Sequence, residues 1–411
     1  MKAIHVLGTA LCAAGLLLAQ EQVTVLQGAR VMPASGPPIE NGVVVIAGGK
    51  IQLVGGKDTP IPQNARVIDA TGKVVTPGLV DAATLLGVDP RDQNEQSDEV
   101  TPHMRILDAL NPTDKRFVRA RQSGVTTLQV NPGNRNVIGG TGVVLKTHGD
   151  TIAQMLLSDR SGLRVTLGGE PSRGNMAIRG GTPDSIYFRR PTTRMGVVWA
   201  LRKAFYDAIT YREKRTAGAN ANGGAQTALA ENPAFEVLLL ALDKKLPVRT
   251  TARAEQDIRT ALRIAQEFGY ETMLEDPTEA WRVLELIAQS KVKVLFGPCA
   301  QRASGEARGD GAEGRDTTLV EMAKANIPFA LTTAGSGTDL AKEAMFAVRN
   351  GLSPEQALQA VTLVPAQILG IDQRVGSLAA GKDADLLVWS GDPFDPTSRL
   401  ETTFINGKEI Q

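Results

Sequence analysis

Histidine is the scarcest functional residue in this chain of 411 residues: there are three, His5, His103 and His148. Any site that needs a cluster of imidazoles is therefore excluded at the outset. Cysteine is nearly as rare, with only Cys12 and Cys299, so a disulfide framework is excluded and stability must come from a packed core. Charge of one sign is also missing. Forty-five Lys and Arg stand against 44 Asp and Glu, with no one-signed block, and this removes the electrostatic footprint of a nucleic-acid binder or a membrane-surface protein. What remains, 42% hydrophobic, 22% charged and 4% aromatic, is the composition of a globular protein of one large domain or two ordinary ones.

One long apolar run does occur, at the start. Residues 1–20 read MKAIHVLGTALCAAGLLLAQ, a lysine followed by apolar residues that end in small or polar ones. This is the layout of a signal peptide, with cleavage expected near Ala19 or Gln20 and an exported, periplasmic or extracellular, mature chain. Leu11 before Cys12 is a poor fit to a lipoprotein cleavage site. Removal of the segment leaves His103, His148 and Cys299, and no membrane attachment is expected afterwards.

Residues 21–75 alternate β-branched runs with Gly, Pro and Asn punctuation, and residues 376–411 resume the pattern, ending in a hairpin with Asn406-Gly407 at its turn. The two ends are expected to combine into a small β-sandwich. Between them, within 76–375, short apolar runs alternate with helical stretches. The runs lie at 74–82, 125–130, 142–147, 163–168, 246–252, 270–275, 292–297 and 327–333. Eight such runs predict an α/β fold, a (β/α)8 TIM barrel of parallel strands. A helix over 195–215 is expected to bury Val198, Leu201, Phe205, Ala208 and Ile209. Another is expected to bury Ile258, Ala261, Leu262, Ala265 and Phe268. Ser353, Pro354 and Gln356 form a capping box at a further helix start.

Several strings carry less. The Gly- and Ala-rich stretches 217–232 and 301–318 are expected to be surface loops, and Arg308-Gly309-Asp310 inside the second is read as coincidence. Gly139-Gly140-x-Gly142 opens a strand and not a helix, so it lacks the helix N-terminus of a phosphate loop. Ser336 has no histidine base, and Cys299 reads as a packed residue.

In a barrel the reacting groups sit at the carboxyl ends of the strands. There PGLVDA, ALQAVTLVPAQILGID and GSLAAGKDADLLVWSGDPFD resemble the metal-dependent amidohydrolase superfamily, particularly its exported imidazolonepropionase-like members. The resemblance covers nearly the whole mature chain. It implies a barrel beside a composite β-domain, and hydrolysis of amide or cyclic-amide C–N bonds by a water activated on Zn or another divalent ion. The ligand set it implies is absent. Ala83 and Leu85 hold the positions of a His-x-His pair, Thr251 and Arg253 those of a second, Asp276 that of a further histidine, and Ala334 that of an aspartate. No metal or other cofactor is expected.

Three functions follow. The preferred one is a metal-free pseudoenzyme acting as a subunit of, or partner to, an active paralogue, or as a homo-oligomer. A second is an active amide or dipeptide hydrolase using no metal, or a relocated one at His103 and His148 with Asp81 or Asp150. A third is a binding protein for a small amide-like or carboxylate ligand in the vacated pocket, with Lys146, His148, Thr251, Arg253, Asp276 and Thr333 as pocket candidates. Because an unpaired buried charge costs about 3–5 kcal/mol, Arg253 is expected to pair with Asp276.

Overall fold

The alternating segments near the amino end become β1 (Thr24–Val31), β2 (Ile39–Ala47), β3 (Lys50–Gly55), β4 (Arg66–Asp69) and β5 (Val74–Pro77). They are seen in a computed structural model that describes residues 22–173, 175, 190–220, 230–300, 310–335 and 339–410. The signal-like segment, Ser336 and parts of both Gly-rich stretches lie outside the described residues. β1 pairs antiparallel with β2 on one edge and parallel with β4 and β5 on the other.

The central strands follow: β6 (Leu79–Thr84), β7 (Val125–Val130), β8 (Ile138–Thr141), β9 (Val143–Lys146), β10 (Leu156–Ser158), β11 (Leu163–Thr166), β12 (Val248–Thr251), β13 (Thr272–Glu275), β14 (Lys293–Phe296) and β15 (Phe329–Leu331). All eight apolar runs are strands. β6 and β7 are parallel, and β11 to β15 form a parallel series in chain order.

The third run departs from the expected parallel direction. β8 pairs antiparallel with β11, and β9 pairs antiparallel with β7. The chain turns over residues 131–137, and β8 and β9, separated by Gly142 alone, run back together against the direction of β7. Gly140, at φ 100°, stands where an added Cβ would lie 2.4 Å from the Met104 carbonyl oxygen, so this bend needs glycine. The result is two sheets, ordered β10-β9-β7-β6 and β15-β14-β13-β12-β11-β8. Their outer strands β6 and β15 approach each other: the Thr332 hydroxyl oxygen lies 2.8 Å from the Ala83 carbonyl oxygen and donates to Asp81 Oδ1 at 2.6 Å, and the Leu85 amide donates to the Gly335 carbonyl at 3.3 Å.

The helices of the described residues are α1 (Lys115–Gln122), α2 (Ile152–Met155), α3 (Arg194–Asn220), α4 (Pro233–Leu242), α5 (Glu255–Phe268), α6 (Leu284–Ser290), α7 (Thr318–Lys324), α8 (Leu340–Arg349), α9 (Pro354–Ala360) and α10 (Leu363–Ile368). α5 buries Ile258, Ala261, Leu262 and Ala265 and ends on Gly269 in the left-handed region. α9 starts with the expected box, Ser353 accepting from the Gln356 amide and Gln356 reaching back. α3 buries Val197, Leu201, Phe205 and Ala208, a face turned slightly from the one read off the sequence, and continues into the stretch expected to be loop.

β16 (Leu386–Trp389), β17 (Leu400–Ile405) and β18 (Lys408–Ile410) close the chain. β16 pairs with β5, so both ends of the sequence join in one eight-stranded sheet, β18-β17-β16-β5-β1-β2-β3 with β4 also on β1. This is a single continuous sheet in place of the two sheets of a sandwich. It curls on itself, because Leu26, Val44 and Ile51 share one buried cluster with Leu386, Val388 and Phe404. Asn406 and Gly407 form the predicted turn with φ of 51° and 72°.

Candidate functional site

Apolar parallel strands that carry charge at their centres must pair that charge internally. β11, β12 and β13 do so through Arg164, Arg249 and Glu275, all buried. The register sets Arg164 beside Arg249 and Thr251 beside Glu275. Glu275 accepts from Arg249 Nε at 2.5 Å and from Asn131 Nδ2 at 3.3 Å, and it pairs with Arg164 Nη1. Arg249 Nη2 donates to the Ala82 carbonyl at 2.5 Å. Two guanidiniums thus share one carboxylate. Burial, with the neighbouring charge of Arg253, pushes the Arg164 pKa down to about 9. Burial and Arg164 push that of Arg249 down as well.

A second layer lies at the strand ends. Arg253 Nε donates to Asp276 Oδ2 at 2.7 Å, the pair expected from the sequence. Arg253 Nη1 also stands 3.5 Å from Asp310 Oδ2 and 3.8 Å from Glu170 Oε2. Asp310 accepts from the Gly169 amide at 2.5 Å and lies 3.5 Å from Arg194 Nη2, which belongs to α3. The aspartate of Arg308-Gly309-Asp310 is therefore turned inward, its side chain 1% exposed, and is not a free surface group.

Between the layers is a cavity of about 70 Å³. Ala83, Leu85, Thr251, Arg253, Asp276 and Ala334 all line it, so the six positions picked out by motif converge. Arg164, Glu275, Asn131 and Asn134 complete much of the wall. Gly297, at φ 147°, lets the chain after β14 pass so close to β15 that an added Cβ would lie 1.9 Å from the Thr332 carbonyl oxygen.

Three pocket candidates fall elsewhere. Because β9 runs antiparallel, its carboxyl end emerges at the opposite edge of the strands, where Lys146 pairs in register with Thr127. There Lys146 is buried against the composite sheet, 2.8 Å from Asp383 Oδ2 and 2.9 Å from Asp385 Oδ1. His148 follows it, half-buried, its pKa lowered by burial and by the charges of Arg121 and Lys408. Thr333 faces Asp81, donating to Oδ2 at 2.6 Å, and it is Thr332 that reaches the cavity wall.

His103 is exposed on a loop whose Thr101 bonds to Ile138, at the other edge of the strands from His148. Asp150 is exposed and Asp81 fully buried, its pKa raised by burial against hydrogen bonds from Thr332 and Thr333. The four residues of a relocated site are not brought together.

The donor set at the strand ends does not suit a divalent cation. Ala83, Leu85 and Ala334 offer no side-chain donor, Asp276 is committed to Arg253, and guanidiniums at the wall would repel a dication. Among the described residues no group of three or more His, Cys, Asp or Glu is set to hold a metal ion. Sequence reading passed over Arg164, Arg249, Glu275 and Asp310. For the first three the available signal was charge inside an otherwise apolar strand; for Asp310, inside a Gly-rich segment, there was none.

The model of the Amidohydrolase family matches residues 74–410. A crystal structure of an amidohydrolase from Thermotoga maritima MSB8 superposes with a TM-score of 0.85 at 32% identity, covering 94% of this chain and 99% of that one. Amidohydrolase tasK of Hapsidospora irregularis is 26% identical over 397 residues, 89% of this chain, and this chain spans only 39% of its length. A molinate hydrolase structure shares the fold, with a TM-score of 0.59 at 19% identity over 95% of each chain.

Proposed function

The chain belongs to the amidohydrolase family, and from that premise we propose that it is a non-catalytic member whose active-site cavity has become an arginine–carboxylate lock. The observation that carries this is the wall of the cavity. Where metal-assisted hydrolysis needs open ligands at the strand ends, this chain has Ala83, Leu85 and Ala334, with Arg253 bonded to Asp276. Among the described residues lining the cavity, the carboxylates of Glu275 and Asp276 are bonded to guanidiniums, which disfavours either as a base that activates water for attack on an amide C–N bond. Cys299 is buried, and the nearest carboxylates are engaged by guanidiniums.

In this reading the strands form a TIM-type barrel whose third position is antiparallel, set against the composite domain of residues 21–75 and 376–411. The segment 1–20 directs export and is removed, and the folded chain serves an active, metal-bearing paralogue as a subunit or partner, or assembles with itself. What supports the non-catalytic part of this reading is the buried ion network at the strand ends, where Arg253 holds Asp276 and Arg164 and Arg249 hold Glu275.

The test is turnover. Chain purified with zinc supplied is expected to release no amine from N-acyl amino acids, dipeptides or cyclic amides above the buffer rate. Turnover that a chelator abolishes would defeat the reading.

A further inference from the structure

Among the described residues, the inner layer of the cavity sets two guanidiniums against one carboxylate. Arg164 and Arg249 share Glu275 as their one carboxylate, while Asp276 is taken by Arg253. Donors remain over as well. Arg164 Nε, Arg249 Nη1 and the Thr251 hydroxyl are buried and make no hydrogen bond among the described residues. Arg164 and Thr251 line the cavity, and they are 6% and 1% exposed. Buried guanidinium and hydroxyl groups without partners are costly, and a ligand that supplies acceptors and one negative charge relieves both deficits.

We infer that the cavity binds a small monocarboxylate, its oxygens facing Arg164 and the Thr251 hydroxyl with Arg253 at the rim. The inference rests on the reading that no metal occupies this place. Size favours a compact ligand, since about 70 Å³ is far below the roughly 300 Å³ at which pockets for drug-sized ligands begin. Charge favours a monoanion: one negative charge balances the inner layer, whereas a second would be opposed by Glu275 and Asp276 in the same wall. Burial, with the neighbouring charge of Arg253, lowers the Arg164 pKa to about 9.

The experiment is thermal melting of the intact purified chain at constant ionic strength with increasing acetate or formate, and separately with phosphate or sulfate. A saturable rise in Tm with the monocarboxylates is expected. In Thr251→Val, which keeps the shape and removes a hydroxyl that makes no hydrogen bond among the described residues, half-saturation should move to about tenfold higher concentration. No saturable rise, an unchanged curve in Thr251→Val, or a rise only with phosphate or sulfate would overturn the inference. A zinc titration of the same sample separates the two readings. Stoichiometric zinc binding defeats the non-catalytic reading and this one with it, while a chain that takes neither zinc nor carboxylate defeats this one alone.

Discussion

Arg253 and Asp276 meet at 2.7 Å with side chains 10% and 7% exposed, so each is the other's main compensation for leaving water. Arg253→Ala is expected to destabilise the chain by about 3–5 kcal/mol in urea unfolding, because it strands Asp276 and weakens the hold on Asp310. Asp276→Asn in that background should recover part of the loss, since asparagine tolerates the left-handed φ of 52° and carries no charge. A loss under 1 kcal/mol would mean that the pair is solvated and that the cavity is not locked. This pair was legible in the sequence because opposite charges at the ends of neighbouring buried strands are expected to find each other. Arg164 and Arg249 were not, since a single arginine in a strand reads as a surface residue until its partner on the next strand is known.

At the scale of elements, strand existence was readable from apolar runs while strand direction was not. The run ending in Lys146 has the composition of a buried parallel strand, yet after the turn over residues 131–137 it returns antiparallel to β7. Lys146 and His148 are thereby carried to the far edge, and two pocket candidates failed for one topological reason. Close approach of elements is equally hidden in sequence. Gly297 is the point where the ends of β14 and β15 touch beside the cavity. Gly297→Ala should cost about 2 kcal/mol or more, from a positive φ combined with contact against the Thr332 carbonyl. Equal midpoints for variant and wild type in denaturant would show that the approach is slack.

Across the whole molecule, the composite sheet is tied to the central strands through Lys146, which joins Asp383, Asp385 and Asn406. Burial alone would raise the Asp383 carboxyl, but hydrogen bonds from Lys146 and Lys50 outweigh it and bring the pKa down to about 2 from an ordinary 3.8. A carboxyl depressed on folding contributes stability above its unfolded pKa and loses it as pH falls through its folded pKa. The Asp383 contribution is thus expected to be complete above about pH 5 and to be mostly lost as pH falls to about 2. The stability difference between wild type and Asp383→Asn should shrink over that interval, and a difference constant with pH would contradict the assignment. The joining of the two chain ends was legible from their shared strand pattern. That they make one curled sheet was not, since the pairing of β5 with β16 is non-local.

The most direct test of the central claim is metal content. Elemental analysis of the purified chain, expressed with excess zinc, is predicted to give far less than one metal ion per chain, as walls of alanine, leucine and paired arginine require. One tightly held ion per chain would contradict the account and return the protein to the hydrolases of its family.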